Sequence, residues 1–140
     1  MDDDRDPGAR PEGRGAAASP EPMPLEVLRD GPVATVVVAG EVDLLTADHL
    51  RDTLMEQVAA RPEVLVVDLD AVEFLSSMGL AALALTQRAA HETGVVLRVV
   101  ASTQVTLRPL QVTSMTDQLA VYASRAEALA GGAEPSARIG

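Results

Sequence analysis

Two adjacent serines, Ser76 and Ser77, lie in the stretch FLSSMGL, residues 74–80, between an apolar run and a segment rich in Leu and Ala. At such a junction a hydroxyl has two common uses. It accepts a hydrogen bond from a free backbone N–H and caps a helix, or it takes a phosphoryl group. One cap needs one serine, and two are present. A phosphoserine at a helix start is favoured locally by free N–H groups and by the helix dipole. It also places about two negative charges on a surface otherwise fit for docking. Hydrolytic chemistry fits less well, because a nucleophilic serine needs a base within hydrogen-bond reach. His91 lies fourteen residues beyond Ser77 on the same predicted helix, roughly 21 Å away at the helical rise. His49 is the other histidine, and the glycine two before the nucleophile of a G-x-S-x-G elbow is missing.

The carboxylates are the next candidates. Asp43, in GEVDLLTADHL, follows a predicted strand and either caps its own turn or meets a partner. Glu41 and Asp48 flank it, but no spacing matches a metal-ligand set. Asp68 and Asp70 alternate with apolar residues near a strand end, where turn or edge roles suffice. Met78 reads as a partly exposed contact residue, and Gly79 allows another backbone to come close.

Composition narrows the chemistry. The chain has 140 residues and a formal charge of −10, from 21 acidic and 11 basic residues. All the basic residues are Arg, so lysine Schiff-base and P-loop chemistry are absent. The acidity, with one Phe, one Tyr and no Trp, argues against nucleic acid as a partner. There is no Cys, which excludes disulfides and thiolate sites. No apolar run approaches the ~18 residues of a membrane span, so no membrane partner is expected. The acidic MDDDRD start is unlike a signal peptide. A cytoplasmic location is therefore expected, with no cofactor.

These residues need a frame to position them. Residues 1–24 hold five Pro and three Gly with hardly an apolar side chain, and residues 131–140 look alike; both read as disordered or flexible tails. Between them, residues 25–130 alternate strand and helix patterns. Residues 25–29 and 33–39 read as a hairpin across Asp30-Gly31-Pro32, with Gly40 ending the second strand. Thr46 is placed to N-cap a helix whose apolar face is Ala47, Leu50, Leu54 and Val58. Residues 64–69 form a buried strand, and a helix from about Met78 to Thr93 stops at Gly94. A strand over 95–101 follows, then a helix over 103–112 that Pro109 should kink or shorten. Residues 119–122 make a short strand or turn, and 124–129 a last helix. Strand–helix alternation predicts a mainly parallel α/β sheet with an antiparallel edge. Sites in such sheets gather at the carboxyl ends of the strands, here 40–43, 70–77 and 102–103.

The order VVVAGEVDLLTADHLRDTL, VLVVDLDAVEFLSSMGLAAL, VVASTQVTLRPLQVTSM and YASRAEALA resembles a STAS domain of the anti-sigma-factor antagonist family, over nearly all of 25–130. The resemblance implies a mixed, mainly parallel sheet of four to five strands with about four helices packed against it. It implies a non-enzymatic partner switch: an unphosphorylated antagonist binds an anti-sigma factor and frees a sigma factor for transcription. That anti-sigma factor is often a serine kinase of histidine-kinase-like ATPase type, and a serine phosphatase reverses its action. The family pattern is commonly Phe, an aliphatic, Asp, Ser, Ser or Thr, Gly, Leu. Laid on 74–80, it puts the phosphoacceptor at Ser77, with Ser76 in place of the Asp and as an alternative target. Met78 replaces the second hydroxyl residue, and Gly79 and Leu80 match. Asp43 matches an acidic position beside the switch serine. The partner-binding surface implied is Asp43, Thr46, Ser76, Ser77, Met78 and Gly79. A STAS scaffold or ligand sensor without phosphorylation is the alternative. In either case the tails should be dispensable: a chain of residues 25–130 is expected to keep its thermal midpoint within a few degrees of the full chain. A large drop in a thermal melt would mean that a tail packs on the core.

Overall fold

The computed structural model describes residues 24–131; apart from Pro24 and Gly131, the expected tails, 1–24 and 131–140, lie outside the described residues. A hairpin opens the fold, β1 (Leu25–Asp30) and β2 (Val33–Val42), turning at Gly31 with φ +59°, a left-handed value that glycine adopts without strain. Then come α1 (Ala47–Ala59), β3 (Val64–Leu75), α2 (Ser77–Thr93), β4 (Val96–Val100) and α3 (Gln104–Val112). A 3-10 turn at Met115–Asp117 leads to β5 (Ala120–Tyr122) and α4 (Arg125–Ala130). The five strands lie side by side in chain order. β1 runs antiparallel to β2, and the remaining pairs are parallel. The expected mixed, mainly parallel sheet is what forms, and residues 120–122 resolve as strand. No helix among the described residues is long and apolar enough to cross a membrane.

Most of the core lies between one sheet face and α1, α2 and α3. Val36 and Val38 of β2 and Leu65, Val67 and Leu69 of β3 pack there with Leu50, Leu54, Leu83 and Leu110. α2 ends at Gly94, as expected, with φ +80°. α3 keeps its expected span with Pro109 inside it, and Thr113 closes its end by donating N–H and Oγ1–H to the Pro109 carbonyl.

A smaller cluster of Val66, Val100, Ala120, Tyr122 and Ala128 carries α4. Six residues are too few for a helix to stand by itself, and two arginines secure this one. Arg125 at its start meets Asp68 of β3, with Nη2 2.8 Å from Oδ2. Arg98 of β4 is buried and donates 2.9 Å to the Ala128 carbonyl near the helix end, where the dipole favours a cation. Asp68 is thus a buried ion-pair partner inside the sheet, and its other oxygen, Oδ1, accepts from the Asp70 N–H at 3.0 Å, a local role of the kind expected of it.

β2 and β3 both outrun their expected ends at Gly40 and 69. Gly40 passes within β2 at φ +87°. Val37 lies opposite Asp68 but Ala39 opposite Ala71, and Gly40 opposite Val72 but Glu41 opposite Phe74. β3 therefore holds an extra residue at each of two bulges. The bulges leave Asp70 and Glu73 exposed while Val72 and Leu75 stay buried, so the pair continues to Val42 and Leu75.

Removing Arg125 would leave a buried carboxylate without its cation. Because the Arg125 side chain is 40% exposed, water compensates in part, and Arg125→Ala should cost about 1–3 kcal/mol. Urea unfolding should show a lower midpoint at unchanged slope; an unmoved midpoint would mean the ion pair contributes nothing.

Candidate functional site

The site is built where β2 and β3 end together. The Ser76 N–H donates 2.9 Å to the Val42 carbonyl, which ties the start of α2 to the neighbouring strand. Ser76 has extended backbone angles and is the N-cap: its Oγ accepts from the Gly79 N–H at 3.3 Å, and its carbonyl accepts from Leu80 N–H at 3.0 Å. Ser76 is partly buried and occupied by this role. Ser77, the first residue of α2, is exposed, and its hydroxyl makes no hydrogen bond to another described residue. The two serines thus divide into a cap and a free hydroxyl at a helix N-terminus.

Gly79 is buried. A Cβ there would stand 2.6 Å from Val42 Cγ1 and 2.7 Å from Leu75 Cδ1. Its expected place on the binding surface is corrected accordingly: it faces the core and lets α2 sit against the two strand ends. Met78, the next residue back, is 43% exposed.

The capping expected of Thr46 falls to Asp43, for which capping its own turn was one of two expected uses. The Thr46 hydroxyl caps no helix N–H; it donates to the Glu41 carbonyl at 2.8 Å and accepts from the Asp43 N–H at 2.9 Å. Asp43 does the capping. Its Oδ1 accepts from the N–H groups of Leu45 and Thr46 at 2.9 and 3.1 Å, and its carbonyl accepts from Ala47 N–H. An Asp side chain two and three residues before those donors fits this turn without strain, whereas Thr46 has helical angles of −106° and −13° that suit no extended N-cap.

Leu44 and Leu45, between those residues, are 72% and 75% exposed, and Phe74 is 50% exposed. The only sequence signal for the leucines was a pair of apolar residues inside a loop with no partner in the helical or strand pattern. A small hollow of about 60 Å³ lies between α1 and α2, lined by Ala47, Asp48, Arg51, Met78, Ala81, Ala82 and Leu85. Glu41 and Asp48, on either side of the leucines in the chain, are exposed, as is Glu73 near the end of β3. At the third strand end, Ser102 donates its N–H and its hydroxyl to Asp70 Oδ1 at 3.0 and 2.8 Å, which makes that end a structural tie. His91 is on α2, whose first residue is Ser77. Among the described residues, no three His, Asp or Glu side chains gather in a way that could hold a metal ion.

Residues 25–128 match the STAS domain. The chain belongs to the STAS domain family. It is 36% identical to the anti-sigma-F factor antagonist RsfB of Mycobacterium tuberculosis over 114 residues, covering 81% of this chain and 93% of that one. A crystal structure of an anti-sigma factor antagonist from Mycobacterium paratuberculosis superposes with a TM-score of 0.73 at 34% identity, over 81% of this STAS chain and 96% of the other. The unphosphorylated anti-sigma factor antagonist SpoIIAA has the same fold, with a TM-score of 0.65 at 11% identity, over 76% and 93% of the two chains.

Two substitutions separate the structural parts of this STAS site. Ser76→Ala should cost about 0.5–2 kcal/mol through the lost cap. Gly79→Ala should cost about 1–3 kcal/mol, because Val42 and Leu75 must move. Thermal and urea unfolding measure both, and a neutral Gly79→Ala would refute the close approach.

Proposed function

We propose that this protein is an anti-sigma-factor antagonist whose docking is switched by phosphate on Ser77. Unmodified, it binds an anti-sigma factor in the cytoplasm and releases a sigma factor for transcription; it acts by binding and not by turnover. The observation that carries the reading is the division of the serine pair: the Ser76 hydroxyl is spent on Gly79 N–H, while Ser77 is exposed at the first position of α2. The likeness to proteins described as antagonists of anti-sigma factors supports the same reading.

The anti-sigma factor is, in this proposal, a serine kinase of histidine-kinase-like ATPase type. Ser77 Oγ attacks the γ-phosphorus of ATP, the hydroxyl proton passes to a base of the kinase, and ADP leaves. A serine phosphatase returns the hydroxyl by hydrolysis. The added charge sits at the N-terminus of a seventeen-residue helix, where the dipole favours it. Folding is therefore spared, and the cost falls on docking. Met78 beside it is an apolar contact, so a partner that covers Met78 must also desolvate the phosphate.

The test uses a purified anti-sigma-F factor, the class of protein that the Mycobacterium tuberculosis relative is named for opposing. Ser77→Ala should bind it and resist phosphorylation. Ser77→Asp should fold normally and bind more weakly by about 2–5 kcal/mol. Intact-mass and fragment mapping after incubation with ATP should find phosphate on Ser77. Phosphate on Ser76 alone would reverse the assignment. No phosphate on either serine, together with full binding by Ser77→Asp, would leave a STAS scaffold without a phosphate switch.

A further inference from the structure

The loop from Asp43 to Thr46 is closed on itself. Asp43 N–H, Leu45 N–H, Thr46 N–H and the Thr46 hydroxyl all find acceptors within residues 41–46. What remains facing outward is the pair of leucine side chains, more exposed than any other large apolar residue near the site. A single exposed Leu is ordinary. Two in succession on a loop held this firmly form an apolar surface that water disfavours; Met78 at the start of α2 and Phe74 near the end of β3 are exposed as well. The surface is continuous with the site, because Ala47 at the loop's end and Met78 beside Ser77 line one hollow.

The charges on the flanking segments are mostly acidic. Glu41, Asp48 and Glu73 are exposed. The nearby cation, Arg51, already meets Asp48 at 3.2 Å and Asp52 at 3.1 Å. An apolar centre with an acidic rim is complementary to an apolar cleft edged by arginine or lysine. An anionic lipid surface would be repelled by the same rim.

We infer that Leu44 and Leu45 anchor the docking surface in a protein partner that offers an apolar cleft with a cationic edge, and that Asp43 and Thr46 are positioning residues that hold the pair out. This rests on the proposed antagonist function and adds where and how the partner is gripped. The anchor is separate from the switch: the leucines supply affinity, and Ser77 decides whether the neighbouring contact can close. It follows that leucine variants lose affinity whether or not Ser77 carries phosphate.

Binding of the full-length protein to the same purified anti-sigma-F factor, measured by calorimetry, tests this. The double variant Leu44→Ser/Leu45→Ser should keep its thermal midpoint, because neither side chain is buried, and lose affinity by about thirtyfold or more. Leu44→Met/Leu45→Met should restore most of it. Wild-type affinity should fall by about tenfold between low and physiological salt, as the charged edges are screened. Unchanged binding by the double serine variant would overturn the anchor while leaving the antagonist reading intact. Failure of the wild type to bind any anti-sigma-F factor would overturn both. Binding of the wild type to phosphatidylglycerol vesicles, lost in the serine variant, would move the leucines from a protein cleft to a lipid surface and refute the inference.

Discussion

The architecture of the site depends on one close approach, that of α2 to the ends of β2 and β3 at Gly79. A side chain there would overlap Val42 and Leu75, so only glycine lets the first turn of the helix rest on the two strands. The approach brings Ser76 N–H to the Val42 carbonyl and leaves Ser76 as cap and Ser77 just outside. It also sets the distance between α2 and the loop that follows Val42. If α2 were lifted by one methyl group, the hollow that Ala47 and Met78 line together would open.

The sheet beneath is built to hold that edge still. β2 and β3 stay paired to their last residues, Val42 and Leu75, in spite of two bulges. Each bulge turns an acidic side chain, Asp70 or Glu73, to solvent while the next buried position is kept. Asp70 then fastens the loop after β4 through Ser102. On the opposite face, Arg125 and Arg98 hold α4 by its start and its end. These polar ties are few, and each one joins elements that the apolar core alone would leave free to slide.

Charge and apolar surface are arranged in a way that suits a switch of binding. An acidic rim attracts a basic partner from a distance, and an apolar centre supplies contact once water is expelled. A phosphate on Ser77 would enter neither part cleanly. It stands beside Met78, where desolvation of two charges is costly, yet at a helix N-terminus that tolerates it while the protein is free. The same group can therefore be harmless to the fold and adverse to the complex.

The order of strands and helices was legible in the sequence because the local signals agree with the final packing. The face Ala47, Leu50, Leu54 and Val58 is buried as its spacing requires, Gly94 ends α2, and the FLSS motif lies where β2 and β3 end. The second half of β3 was not legible, since two bulges break the two-residue alternation by which a strand is recognised. Nor was the ion pair of Asp68, whose partner is 57 residues away along the chain. Thr46 looked like a cap from its position alone; which oxygen meets which N–H was decided by the way β2 delivers the loop, and there Asp43 reaches the donors first. The exposure of Leu44 and Leu45 was decided in the same way. Hydrophobic pattern determines which face of a regular element is buried, but in a loop between elements no such period exists. Only the packing of α1, α2 and the strand ends around it determines what is left facing water.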